Sequence, residues 1–368
     1  MRQFKNIYVA ATSQHVGKTT STLGLVSCFM RQGFDVGYCK PVGQKSLSLD
    51  NTVADKDTFL FANLIKFNII PEIHSPVILG KGATEQYLDN PTMYDLESRI
   101  LFAEKKLSKA HQMMIYEGTG HPGVGSVADL SNAKVAKLLN AGVVMIVEGG
   151  VGSTIDKLNM SISLFREEGV PILGVIINKV LPEKQEKVKK YVGMWMEKNN
   201  LDLLGVIPYD PTLAYPVIKT ISEAVNGTIT YNSAYEDNRI EATLAGSLIG
   251  LQELSSSQDL LLVVSTKSIN EAINKIKSLT LINNIDHCPL SGIVATGQGT
   301  FTSETIKYIE ENNLPLIRTD LDTYGAVVRI SRIEVKINRS TPWKIVKAID
   351  LIENNVDLVK LRGKMEIL

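Results

Sequence analysis

Ala11-Thr12-Ser13-Gln14-His15-Val16-Gly17-Lys18-Thr19-Thr20 is the stretch that decides the fold. Ahead of it, Lys5 to Ala11 reads as a short buried strand; behind it, Thr19 to Arg31 carries apolar residues at helical spacing. Gly-Lys-Thr alone is a common tripeptide, and its place between a strand and a helix is what gives it a phosphate-binding meaning. The chemistry accounts for each residue type. Gly17 lets backbone amides approach phosphate oxygens, Lys18 brings a positive charge to the terminal phosphates, and the Thr19 hydroxyl can ligate magnesium at the helix start. The strict form of the pattern has glycine where Thr12 stands.

Outward from the loop, apolar strand candidates recur at Val36 to Cys39, Met113 to Tyr116, Val143 to Val147, Ile172 to Ile177 and Leu203 to Ile207. Helical patterns lie between them, clearest at Lys134 to Leu139, Ile155 to Phe165 and Glu183 to Lys198. Such alternation predicts an α/β fold, a doubly wound and mostly parallel sheet covered on both faces. Pro208, Pro211 and Pro216 then interrupt regular structure, which places a domain boundary there. The expected division is 1–215, the P-loop nucleotide-binding domain, and 216–368, a smaller α/β domain. In the latter, strands at Leu260 to Val264 and Gly292 to Ala295 alternate with helices over Ile269 to Leu279 and Ser303 to Glu311, and a final amphipathic helix covers Trp343 to Ile352.

Composition narrows the function classes. The 368 residues hold 39 basic and 39 acidic side chains, so the bulk attraction that nucleic-acid binding relies on is missing, and no nucleic-acid partner is expected. No apolar run approaches the roughly 20 residues needed to span a bilayer, and Met1 to Val9 lacks a signal-peptide layout. The expectation is a cytoplasmic protein without a membrane partner. Cys28, Cys39 and Cys288 lack metal-ligand spacing and read as ordinary thiols.

Together with the loop, Tyr38-Cys39-Lys40-Pro41-Val42, Glu117-Gly118-Thr119-Gly120, Asn178-Lys179 and Gly205-Val206-Ile207-Pro208 occur in an order that resembles dethiobiotin synthetase over about residues 1 to 215. That family has threonine where Thr12 stands. The chain is also similar to the amino-terminal part of long phosphotransacetylases, in which a dethiobiotin synthetase-like domain precedes a so-called DRTGG domain; it corresponds to that pair without the acetyltransferase domain. The resemblance implies ATP and Mg²⁺ as cofactors, with every residue from Thr12 to Thr20 a candidate nucleotide contact. It assigns magnesium to Thr19, to an aspartate of Asp55-Lys56-Asp57 and to Glu117, with Asp57 aligning better than Asp55. It places Lys40 beside the transferred group, a catalytic role shared with Lys18 and Glu117. Asn178 and Lys179 take the base side. A solvated helix start for the aspartates and a surface position for Lys40 are the plain alternatives.

Two further glycine runs, His121 to Ser126 and Glu148 to Ser153, suit anion binding or a tight connection equally. His15 and His121 have no evident partner for proton chemistry. Residues 217 to 330 resemble the DRTGG domain in order and length, with Ser265-Thr266-Lys267 and Thr296-Gly297-Gln298 standing where its naming motifs would be, and Asp322-Thr323-Tyr324 following a predicted strand. The resemblance implies a regulatory or oligomerising module, hence a homodimer.

Two functions remain open: a nucleotide-sensing regulator tied to phosphotransacetylase-like systems, and an ATP-dependent ligase or phosphotransferase acting on a small carboxylate or carbamate. Either takes a nucleotide and a small anionic metabolite as partners. Gly43-Gln44-Lys45 replaces the small polar residues that the synthetase uses for its diamine, which favours the first. Ser13, in place of a second loop lysine, sets aside the partitioning ATPases.

Overall fold

A computed structural model describes residues 4–49, 51–246, 259–335, 337–338 and 341–366. They form two compact units, Met1–Asp210 with Ile337–Leu368, and Pro211–Lys336.

In the first unit, β1 (Asn6–Ala11) leads through the glycine loop into α1 (Lys18–Arg31), and β2 (Val36–Cys39) follows. Short strands β3 (Val42–Gly43), β4 (Ser46–Leu49) and β5 (Thr52–Asp55) precede α2 (Lys56–Ile65). After β6 (Val77–Ile78) come the long strands β7 (Met113–Glu117), β8 (Ala141–Glu148), β9 (Ile172–Val180) and β10 (Leu203–Pro208). The main sheet has the order β10-β9-β8-β1-β7-β2, and every neighbouring pair is parallel. Alternate residues of each strand feed opposite cores: Tyr8 and Ala10 with Met114 and Met145 on one face, Ile7 and Val9 with Ile115 and Val144 on the other. Burial on both faces is why these strands read as continuous apolar runs.

β1 lies inside the sheet, with β8, β9 and β10 following outward on one side and β7 and then β2 on the other, so the strand order reverses at β1. The ends of β1 and β7 therefore meet at one edge, bringing the loop before α1 beside the turn after Glu117. Ligands of open α/β sheets bind at this kind of crevice.

The second unit holds β11 (Thr228–Tyr231), β12 (Ala242–Ala245), β13 (Leu260–Ser265), β14 (Leu290–Thr296) and β15 (Leu316–Thr319), in the order β11-β15-β14-β13-β12. All are parallel except β11, which runs antiparallel to β15. Its cores also lie on both faces of the sheet.

One expectation is corrected. The amphipathic pattern finds the final helix, Pro342–Asn355, but the segment belongs to the first unit and not to the second domain. Ala348, Ile349 and Ile352 join the core that α1 covers. The helices approach so closely that a Cβ on Gly24 of α1 would lie 2.2 Å from Ile352 Cγ1. Phe4 and Met365 form a parallel bridge, and Asp357 N donates to Leu204 O, so the last residues are tied to the first unit by backbone as well. A helical stripe reveals that a helix needs a core, not which core it covers. Among the described residues no helix is long and apolar enough to cross a membrane.

Candidate functional site

The loop between β1 and α1 is anchored at its start by Thr12 N donating to Ile146 O of β8 (3.0 Å). Its tip alternates in backbone sign. His15 has φ +62° and Gly17 φ +94°, with Val16 between them outside the left-handed region. Such alternation turns successive N–H groups towards one side and forms an anion-binding concavity. A side chain is excluded at position 17, where a Cβ would lie 2.1 Å from Asn178 Nδ2. Lys18 begins α1 and its Nζ donates to Gly120 O at 3.2 Å, reaching the turn after β7.

Opposite the loop, four sequence-singled residues converge. Thr19 Oγ1 donates to Glu117 Oε1 at 2.7 Å, and Lys40 Nζ lies 3.2 Å from the same oxygen and 2.6 Å from Asp57 Oδ2. Glu117 is fully buried at the end of β7, and the Lys40 side chain is only 5% exposed, so a surface lysine is ruled out. Burial works against the Lys40 charge, but Asp57, Glu117 and Asp55 outweigh it and hold the ammonium above the usual lysine range. Burial pushes the Glu117 carboxyl up, against the pull of Lys40 and Lys18 and the hydrogen bond from Thr19. The two directions agree: three carboxylates face two ammonium groups here, and the surplus negative charge favours an added cation.

The two aspartates divide their work. Asp55 caps α2, its carboxylate accepting from Asp57 N (3.0 Å), Gln44 N (3.2 Å) and Lys45 N (3.4 Å). Asp57, in the first turn of α2, faces Lys40. Both aspartates sit at the start of α2, but Asp55 is buried, so a solvated helix start does not describe it, and Asp57 has the ion pair besides.

Sequence reasoning missed the roles of two residues. Tyr38 OH donates to Glu117 Oε2 at 3.4 Å, and its ring stacks on Phe61 with centroids 3.7 Å apart. Asn132, buried, accepts from Tyr8 OH and Thr119 N and donates to the carbonyls of Thr119 and His121, so it fixes the turn that follows Glu117. None of these contacts has a signal in local sequence, because the partners lie far apart in the chain.

At the other end of the loop, Asn178 Nδ2 donates to Val16 O (2.8 Å) and Lys179 Nζ to His15 O (2.6 Å), with Glu148 Oε1 3.5 Å from Lys179. The first glycine run makes a tight turn in which His121 Nδ1 accepts from Gly123 N, a local contact and no proton-transfer pair. The second opens a helix at Gly152. Cys28 and Cys39 are buried thiols, and Cys288 pairs with Tyr308 OH at 3.2 Å. In the second unit the three degenerate motifs lie side by side: Ser265 is opposite Thr296, Thr266 Oγ1 donates to the Thr296 and Gly297 carbonyls, and Thr296 Oγ1 bonds Thr323 Oγ1 at 2.9 Å.

The donor set fits a magnesium-bound nucleotide. Mg²⁺ takes one or two protein carboxylates, a hydroxyl and phosphate oxygens, which Glu117, Asp57 and Thr19 match without a larger cage. Among the described residues no three His, Cys, Asp or Glu side chains form such a cage. The Thr12 hydroxyl is buried and makes no hydrogen bond among the described residues.

The AAA_26 family, described as an AAA domain, matches residues 5–217. A phosphate acetyltransferase of Pseudomonas putida is 26% identical over 374 residues, covering 98% of this chain and 52% of that protein. The chain thus spans about half the length of the curated relatives it matches end to end. The ATP-dependent dethiobiotin synthetase BioD of Nitrosopumilus maritimus is 32% identical over 218 residues, covering 56% of this chain and 89% of that protein. The MinC:MinD cell division protein complex of Aquifex aeolicus is 15% identical with a TM-score of 0.37, covering 57% of this chain and 84% of that one.

Proposed function

We propose that this chain, which belongs to the AAA_26 family of AAA domains, binds Mg·ATP as a regulatory signal and not as a substrate for group transfer. Nucleotide binding follows from the family and the loop. The regulatory reading rests on one observation: similarity to a phosphate acetyltransferase runs along 98% of this chain, whereas similarity to a dethiobiotin synthetase covers 56% of it. Similarity along 98% of the chain to half of a phosphate acetyltransferase supports a link to such systems. The DRTGG-like second unit would carry the response, and the homodimer would form through it.

Lys18 and the backbone amides of the loop would hold the phosphates, with Thr19, Glu117 and Asp57 holding magnesium, which when bound neutralises phosphate charge. Asn178 and Lys179 are the candidates for meeting the base.

A second reading has its own support. The similarity to a dethiobiotin synthetase covers 89% of that enzyme, and the surplus of carboxylates beside the loop would serve a ligase or phosphotransferase equally well. Phosphate release against a panel of small carboxylates, carbamates and amines separates the two, alongside solution scattering with and without Mg·ATP. The regulatory reading expects a nucleotide-dependent change in scattering and no acceptor stimulation. Acceptor-stimulated turnover lost in Lys40→Ala, with ATP affinity retained, would overturn it in favour of the ligase.

A further inference from the structure

Consecutive residues of a strand normally point to opposite faces. Asn178 and Lys179 of β9 do not serve opposite faces: both side chains reach the phosphate loop, on the neighbouring carbonyls of Val16 and His15. The chain permits this by leaving the extended conformation at Lys179, whose φ is +57°. Asn178 is in turn fixed by its own carbonyl, which accepts from Gly149 N at 2.7 Å.

The two carbonyls they hold belong to the segment with alternating backbone sign. Where φ alternates, N–H groups turn inward to an anion and the intervening carbonyls turn away from it. An outward carbonyl that is buried needs a donor, because leaving it unpaired forfeits the hydrogen bond that water would have supplied. Asn178, 7% exposed, supplies that donor to Val16, and Lys179 donates to the carbonyl of His15 on the exposed side of the loop. Gly17 completes the fit, since only the absence of a Cβ lets the Asn178 amide lie against the loop.

We infer that Asn178 and Lys179 are positioning residues of the phosphate site: they lock the loop in its anion-binding form, so phosphate affinity depends on them independently of any base contact. The inference rests on the nucleotide reading above and deepens it. A residue that only touches the base cannot affect a ligand that has none.

Inorganic tripolyphosphate with magnesium is that ligand, titrated against the full chain by calorimetry or by displacement of a fluorescent ATP analogue. Asn178→Leu keeps size and charge while removing the donor, and is expected to weaken tripolyphosphate and ATP by a similar factor of about tenfold or more, the loss of one buried hydrogen bond. Lys179→Met, on a partly exposed side chain that tolerates replacement, is read at high ionic strength, where a lone surface charge is screened. It should show a joint loss of smaller size, since this hydrogen bond is exposed, and Lys179→Arg, which keeps a donor, should recover most of it. ATP binding lost with tripolyphosphate binding unchanged in both Asn178→Leu and Lys179→Met would overturn the inference and leave a base contact only. Wild-type ATP binding that ignores Lys18→Ala would instead overturn the nucleotide reading itself, so the two failures are distinct.

Discussion

Gly17→Ala is expected to weaken Mg·ATP binding by at least about a hundredfold, which corresponds to roughly 2.7 kcal/mol. Two costs act at the same atom. Position 17 is left-handed, φ +94° and ψ +27°, which costs a non-glycine residue about 1–2 kcal/mol. The added Cβ would also lie 2.1 Å from Asn178 Nδ2, and that amide cannot withdraw without giving up Val16 O. The loop must then open at the point where its amides are gathered for phosphate. Gly33→Ala is the matched control: its φ is +90°, yet a Cβ there meets nothing within 4 Å. It should show the backbone cost in its melting temperature and leave nucleotide affinity within about twofold. Binding retained in Gly17→Ala would mean that the loop does not receive phosphate in this conformation.

Glu117→Gln should act on both stability and magnesium. Glu117 is buried with no exposed surface, accepts from Thr19 and Tyr38, and faces Lys40. An amide keeps the shape but removes the charge, and it turns an N–H₂ group towards one of these donors. Lys40 retains Asp57 at 2.6 Å, and burial already disfavours the Glu117 charge, so the loss in denaturant unfolding should fall well below the about 3–5 kcal/mol seen when a buried pair is wholly broken. The magnesium concentration that half-saturates ATP binding should rise by about 10–100-fold. An unchanged magnesium midpoint would remove Glu117 from the metal site, whatever happened to stability.

The sequence made the strand, loop and helix around Gly17 legible because all three depend on residues close in the chain: apolar runs for β1 and β7, helical spacing for α1, and Gly-Lys-Thr between them. Glu117 and Lys40 were legible for a related reason, as polar residues ending apolar strands. The hairpin of β4 and β5 was not, since Ser46, Leu47 and Ser48 are exposed and bury no face that would impose a period. The division between Asp55 and Asp57 depends on backbone amides at Gln44 and Lys45, which are reached only after that hairpin folds back. Tyr38 and Asn132 look like ordinary core or helix-start residues until Glu117 and the turn after it are brought to them. The final helix was found by its stripe and misplaced by its position, because a chain that returns to its first unit leaves no local mark of doing so.

The central claim is that this loop binds nucleotide through its phosphates with magnesium. Calorimetric titration of the full chain with ATP, in magnesium and then in a magnesium chelator, repeated with Lys18→Ala, tests it most directly. The account predicts saturable binding that weakens by at least about a hundredfold on Lys18→Ala, and strongly on chelation, since charge at the terminal phosphates dominates recognition. ATP binding that is indifferent to both magnesium and Lys18 would contradict it.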